Sequence, residues 1–505
     1  MLTRRHFVAT GAAALVAAPA IVRAQAKWGA QPFSLGVASG DPAPDGFVIW
    51  TRLAPEPLEP HGGMPIAPVP ATWEVASDEG FRVVVARGSA IAHPELAHSI
   101  HVEVAGLQPD RAYFYRFEAG GERSPVGCAR TFPLSASTPR HLRFGMAGCQ
   151  DWQAGFYTAY RHLADEELAF VFHYGDYIYE YGPDGDPVRA HVGDILMSLD
   201  DYRRRHALYK SDADLQRAHA AHPFFMTFDD HEVRNNWAGD TEREDHAPPD
   251  VFRLRRQSAF QAWYEHMPVR RGQWPNGSAL QLYRGTRFGD LARFDFLDTR
   301  QFRTPQPCND GMKMPCAEVR SPAAHIISAT EEAWLARYLA RRDARWNIVA
   351  QQVMMMAIDR RDQPGKPSGK TVNLDSWAGY EVQRERLLAR MCGLDNIIVL
   401  TGDEHTNYAG LLQDRGRPVA VEFVGTSISS DGDGQDMPSW GPAYLANSPE
   451  LKFLNNQRGY LTCDVSPNEW RSNFMVVDRV STPGGRLSKR ATFAVARGEP
   501  DLHSA

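Results

Sequence analysis

Leu168-Ala169-Phe170-Val171-Phe172, running into Gly175-Asp176-Tyr177-Ile178-Tyr179-Glu180, is the stretch on which the fold turns. The apolar run has the length of a buried strand, and a polar island begins where it ends. Three more segments repeat the arrangement. Residues 142–147 run into Gly148-Cys149-Gln150-Asp151, Phe224-Phe225-Met226-Thr227-Phe228 into Asp229-Asp230-His231-Glu232, and residues 396–401 into Gly402-Asp403-Glu404-His405. In open α/β sheets ligands collect at the carboxyl ends of the strands. Four such islands therefore read as one metal-binding rim of thiol, phenol, carboxylates and imidazole.

The rest of the chain fits around that rim. Beyond residue 140, strands alternate with amphipathic patterns over 157–167, 200–210, 250–266 and 329–342, which predicts a layered α/β domain over 140–505. Runs at 417–425, 459–465 and 471–478 read as strands of a second sheet, and the last residues, 497–505, as disordered. Segments 187–198, 237–249, 305–322 and 359–378 read as long loops. Loops of that length are often functional, so these are expected to wall the pocket. Residues 30–135 carry short β runs such as Phe47-Val48-Ile49-Trp50-Thr51 and Ala71-Thr72-Trp73-Glu74-Val75. The turn Gly106-Leu107-Gln108-Pro109-Asp110 ahead of Tyr113-Phe114-Tyr115 resembles fibronectin type III domains. The expectation is a small all-β sandwich with no chemistry of its own, joined through Ser135-Ala136-Ser137-Thr138-Pro139.

A net charge of −6 leaves no polycationic footprint, so nothing here points to a nucleic-acid partner. Thr3-Arg4-Arg5-His6-Phe7-Val8, a weakly apolar stretch and Ala24-Gln25-Ala26 read as a twin-arginine signal peptide over 1–26. The apolar stretch is short for a membrane span. A mature protein beginning near Lys27, exported folded by the twin-arginine machinery to the periplasm or medium and without a transmembrane anchor, is expected. Of six cysteines, Cys308 and Cys316 are the pair expected to bond in an oxidising compartment. Cys128, Cys392 and Cys463 read as buried free thiols. Cys149 stands apart at a strand end.

Within the islands, Asp176 can bridge two metals through its two oxygens, and Tyr179 offers a phenolate, a hard donor favoured by ferric iron. The bland alternative is a helix-capping Asp beside a half-buried Tyr. Asp229 and Asp230 are costly as neighbours unless a cation compensates them, and oxygen donors suit calcium or magnesium. His231 reads as a proton donor or phosphate contact. Asp403 and His405, two residues apart, point to one side of an extended segment.

Taken together the islands resemble the binuclear metallophosphoesterase plan, in which Asp, Gly-Asp-x-x-Tyr, Gly-Asn-His-Glu, a lone His and Gly-His-x-His follow successive strands. The departures match the PhoD-type alkaline phosphatase family, related to purple acid phosphatases: Cys149 for the first Asp, Asp230 for the Asn, and Asp403 for the first His of the last pair. Trp346-Asn347-Ile348-Val349-Ala350-Gln351-Gln352 offers Gln352 for the lone His, and Leu297-Asp298-Thr299-Arg300-Gln301-Phe302-Arg303 matches a further run of that family. The resemblance implies a layered α/β/β/α catalytic domain behind the β-sandwich. It also implies Fe3+ on Cys149, Asp176, Tyr179 and His405, and Ca2+ on Asp176, Asp230, Gln352 and Asp403. Asp229, Asn235 and Asn236 would serve a second calcium or orient the ligands. Arg300 is expected to clamp phosphate oxygens, against the alternative of a structural ion pair with Asp298.

The implied activity is hydrolysis of extracellular phosphate monoesters or diesters, with a metal-activated hydroxide or oxide attacking phosphorus and His231 protonating the leaving group. The alternatives are a phosphodiesterase or phospholipase D-like main activity, a Zn2+ or Mn2+ pair in the same site, and a non-catalytic extracellular binding protein on the same fold. The last would be expected to have lost a ligand, whereas every island retains one.

Overall fold

The structure is a computed structural model that describes residues 28–361 and 369–505. The signal peptide expected at 1–26 and part of the 359–378 loop lie outside the described residues.

Two sheets face each other. In the ten-stranded sheet, Leu142–Ala147, Val171–His173 and Pro223–Met226 lie side by side in parallel. In the seven-stranded sheet the parallel set is Ala292–Phe296, Trp346–Ala350, Ile397–Thr401 and Arg417–Val424. Strand periodicity of two explains the layering. Phe144, Met146, Ile348, Ala350, Ile398 and Leu400 point into the space between the sheets. Val349, Ile397 and Val399 point the other way, into the layer formed with the helices Ala329–Leu339 and Glu381–Met391. On the outer face of the larger sheet, Leu199–Lys210, Ala213–Ala221 and Pro249–His266 share a core with Ala147, Val171 and Met226. The order of layers is α/β/β/α. Aromatic side chains fill the middle: Phe144 stacks on Phe170 at 4.9 Å and meets Phe294 of the opposite sheet edge-on at 5.2 Å. Such geometries add to simple area burial.

The N-terminal region is all-β, but one of its sheets is shared. Val37–Ala43 pairs in parallel with Pro223–Met226, carrying Gly46–Arg52 and Ser99–Val104 onto the ten-stranded sheet. Val84–Ala92, Val69–Ala76, Ala112–Ala119 and Glu122–Arg123, with Gly127–Arg130, form the covering sheet. The sandwich is thus built partly from the edge of the catalytic sheet.

Several expectations need correction. Of the three C-terminal runs, only Arg417–Val424 joins the second sheet. Gly459–Val465 pairs antiparallel with Leu142–Ala147, and Glu469–Val477 follows it into the first. Strand pattern alone gives no register or partner, so the sequence does not choose between the two sheets. The tail is not wholly irregular, because His503–Ser504 adds to Leu487–Ala496. Cys308 and Cys316 are bonded, and Cys463 is buried as expected, but Cys392 is exposed and Cys128 only half-buried.

Candidate metal centre

The rim forms because the loops after Leu142–Ala147, Val171–His173 and Pro223–Met226 leave neighbouring strands of one sheet, while the loop after Ile397–Thr401 leaves the other. Backbone bonds tie these loops together. Cys149 N donates to the Gly175 carbonyl at 3.0 Å, Gln150 N to that of Asp176 at 3.0 Å, and Gly402 N to that of Gln352 at 2.8 Å. The Glu232 carboxylate staples two islands, accepting the amides of Asp176, Tyr177 and Asp229 at 3.2, 2.7 and 2.9 Å. A Cβ at either Gly148 or Gly402 would land on the Tyr174 ring, which lies between the two sheets' loops. Only glycine admits that ring at both positions.

The backbone turns sharply where the donors sit. Cys149, Asp176, Asp403 and His405 have φ of 53°, 54°, 66° and 48°, a left-handed conformation that costs a non-glycine residue roughly 1–2 kcal/mol. Strain of this kind concentrates at functional sites, held by the structure around it. Here it aims four side chains inward.

Donor atoms of Cys149, Asp176 and His405 lie within 4.8 Å of one another, as do those of Asp176, Asp230 and His231, and those of Asp229, Asp230 and Asp403. Asp176 belongs to both of the first two groups, a thiol–imidazole set and a carboxylate-rich set. The Tyr179 hydroxyl lies between, 3.2 Å from Asp176 Oδ2, 3.1 Å from His405 Nε2 and 2.7 Å from Ser430 Oγ. Asp431 Oδ2 fixes the other ring nitrogen of His405 at 2.9 Å.

This donor set fits metal ions. Asp176 Oδ1, Asp229 Oδ2 and Asp230 Oδ1 are buried with no hydrogen-bond partner, an arrangement that is costly unless a cation meets them. Burial raises the Asp176 and Asp403 carboxyls well above the usual range, and neighbouring carboxylates add to it. Burial and then Asp176 do the same to the Cys149 thiol. Asp229 is pushed up to about 6 by burial, against the pull of Arg300. Asp230 shifts downward, because Arg300, His231 and the Asn236 amide overcome its burial. His231 is raised in turn: burial opposes its charge, but Asp230, Glu180 and Asp176 together prevail. Its Nδ1 meets Glu180 Oε2 at 2.8 Å, and its ring stacks on Tyr179 with centroids 4.1 Å apart.

Two residues sit otherwise than the sequence suggested. Arg300 is fully buried, not open to a phosphate. Its guanidinium is committed to Asp229 and Asp375, with Asp230 at 3.6 Å and Asp403 at 3.9 Å. Asp298 receives only its backbone amide. Gln352 Oε1 accepts from both the amide and hydroxyl of Thr299, at 3.2 and 2.6 Å, while its Nε2 donates to the Leu297 carbonyl at 3.0 Å. Both lone pairs of that oxygen are used. Asn235 and Asn236 give backbone amides to Glu180 and Asp230, at 2.8 and 2.7 Å.

Other contributors went unread. Glu180 and Glu232 stand inside the islands, but nothing in their spacing shows which amides or imidazole they hold. Asp375 lies in a long loop with no motif, and its pairing with Arg300 and Arg303 is visible only in three dimensions. Asp431 likewise follows no strand pattern.

Two facing mixed sheets, flanked by helices and holding a carboxylate, thiol, phenol and imidazole rim between their strand ends, define a metallophosphoesterase-type fold. Purple acid phosphatase PPD1 from yellow lupin shares that fold, with a TM-score of 0.54 at 13% identity over 91% of this chain and 74% of its own. The sequence model for the PhoD-like phosphatase matches residues 144–474, and that for the PhoD-like phosphatase N-terminal domain matches 17–133. The chain belongs to the PhoD-like phosphatase family. Alkaline phosphatase D of Bacillus subtilis (strain 168) is 44% identical over 493 residues, 95% of this chain and 84% of that protein. A solved structure of PhoD superposes with a TM-score of 0.91 at 44% identity, covering 95% of this chain and 93% of the other. The chain is an enzyme, a phosphoesterase of the PhoD alkaline phosphatase type.

Proposed function

We propose that this phosphoesterase is exported and metal-dependent, and that it releases phosphate from extracellular phosphate esters. The observation that carries the metal reading is Asp176, shared between the Cys149–His405 group and the Asp230–His231 group, with a buried oxygen left unpaired. Cys149, Tyr179 and His405 with Asp176 would hold Fe3+, since thiolate and phenolate stabilise a trivalent ion. Asp230 and Asp403 with Asp176 would hold Ca2+, as oxygen donors suit it. Gln352 is left out of the set because its carbonyl oxygen is spent on Thr299. When bound, such a pair supplies Lewis acidity toward phosphoryl oxygens and makes water a nucleophile at neutral pH.

The chain's own residues do the rest. His231, hydrogen-bonded through Nδ1 to Glu180 and stacked against Tyr179, is placed to give a proton to the departing oxygen. Arg300 pairs with Asp229 and Asp375 and so offsets part of the negative charge gathered at the rim. Asp431 sets the His405 tautomer so that Nε2 faces the centre. Twin-arginine export is supported by Arg4-Arg5 and Phe7. Among the described residues, no helix is long and apolar enough to cross a membrane.

Rates on nitrophenyl phosphate and bis-nitrophenyl phosphate, before and after chelation, test the reading. Turnover lost on chelation and restored by iron with calcium is expected. Turnover indifferent to chelation would refute metal dependence, and restoration by zinc or manganese alone would refute the ion assignment.

A further inference from the structure

Beside the metal centre lies a cavity of about 500 Å³, far more room than a phosphoryl group needs. Asp403 and Asp431 line it on the metal side. Trp440, Tyr444, Arg360 and Met312, none of them a candidate metal ligand, also line it. We infer that this cavity is a leaving-group subsite for a flat aromatic moiety, so that the preferred esters are those of nucleosides or aryl alcohols. The inference rests on the phosphoesterase reading and adds to it the chemistry of the alcohol.

The wall is built in layers. Trp440 is half-buried and leans on the fully buried Tyr444, with ring centroids 4.5 Å apart. The two rings are tilted by 40°, and the Arg360 guanidinium lies 5.7 Å from the Tyr444 ring centroid. Its charge is met by Glu404, which Asn373 also holds at 3.3 Å. Glu404 is thereby committed to Arg360 and Asn373, so the charges nearest the aromatic pair are matched, while Asp375, Asp403 and Asp431 leave the remaining lining acidic. Arg360 Nε is buried with no hydrogen-bond partner, leaving a donor uncommitted beside the aromatic pair. Leaving an indole half-exposed forgoes hydrophobic burial. A braced aromatic face next to a reaction centre regains it when a planar group stacks there, and the polarisable Met312 thioether suits the same guest.

Base–aromatic stacking is worth about 1–3 kcal/mol, which as a ratio of affinities is about 5- to 150-fold. Initial rates on a nucleoside 5′-monophosphate, phenyl phosphate and glycerol phosphate are to be compared for the wild type, Trp440→Ala and Trp440→Phe. The expected result is a lower KM for the two aromatic esters in the wild type. That preference over glycerol phosphate should shrink about tenfold in Trp440→Ala, and Trp440→Phe should restore part of it. No aromatic preference in the wild type, or a preference unmoved by Trp440→Ala, would overturn the inference. Inhibition by adenosine against inhibition by phenol tells a nucleoside guest from an aryl one. Failure to turn over any of the three esters would count against the phosphoesterase reading instead. Calorimetry of adenosine binding still decides the subsite in that case: affinity lost in Trp440→Ala supports it, and affinity unchanged or absent in the wild type overturns it.

Discussion

Glu180 Oε2 meets His231 Nδ1 at 2.8 Å, while Glu180 Oε1 is held by Arg234 at 3.1 Å and by the Asn235 amide at 2.8 Å. The carboxylate is fully buried and fixed from three sides, so it fixes the imidazole in turn. A general acid is worth about 10²–10⁴ in rate. His231→Ala should lower kcat within that range on alkyl esters, and much less on nitrophenyl phosphate, whose leaving group needs no proton. Glu180→Gln should follow the same pattern more weakly with metal content unchanged. Equal losses on both ester classes would remove the proton-donor role.

Arg300 offers a different contrast. A residue clamping phosphate would show itself in KM. One buried among Asp229, Asp375, Asp230 and Asp403 should show itself in stability. Breaking a buried ion pair costs about 3–5 kcal/mol, so Arg300→Met should lower the unfolding midpoint in urea and weaken metal retention. A variant of wild-type stability with only KM raised would return Arg300 to the phosphate.

Gln352→Ala should keep both metals and lose at least about 1–3 kcal/mol of stability, because the Thr299 amide and hydroxyl and the Leu297 carbonyl are left buried without a partner. Selective loss of calcium in metal analysis would reinstate it as a ligand.

Lys210 gives a pH signature away from the centre. Burial alone lowers it to about 7, with its ammonium 4.3 Å from the Trp50 ring centroid. The unfolded chain keeps that proton up to about pH 10.4. Between about pH 7 and pH 10 the unfolded state therefore binds more protons, and this group's contribution makes stability rise with pH. Below about pH 7 its contribution is level. Thermal melts of wild type and Lys210→Met across this window should diverge most at pH 7 and converge toward pH 10. Parallel curves would show that Lys210 stays charged in the fold.

The sequence made the rim legible because each donor follows an apolar run, and burial of the run dictates where the island emerges. A layered α/β domain was likewise readable from strands alternating with amphipathic segments, but the α/β/β/α order came only with the family resemblance. The structure shows it in Phe144, Ile348 and Leu400 facing between the sheets while Val349 and Val399 face the helices. What stayed hidden was pairing. Gly459–Val465 could have joined either sheet, and its place beside Leu142–Ala147 is set by tertiary contact. Arg300 was read by residue type as a phosphate binder, and Gln352 by its place in the family pattern as a metal ligand. Their partners Asp375 and Thr299 lie 75 and 53 residues away, where no spacing rule reaches.

The central claim is that Asp176 joins two unlike metal sites, and metal analysis of natively exported protein tests it most directly. The account predicts iron and calcium together in the wild type, loss of iron with calcium retained in Cys149→Ala, and loss of both in Asp176→Ala with activity abolished. A wild type without iron, or an Asp176→Ala variant that keeps both metals and full turnover, would contradict it.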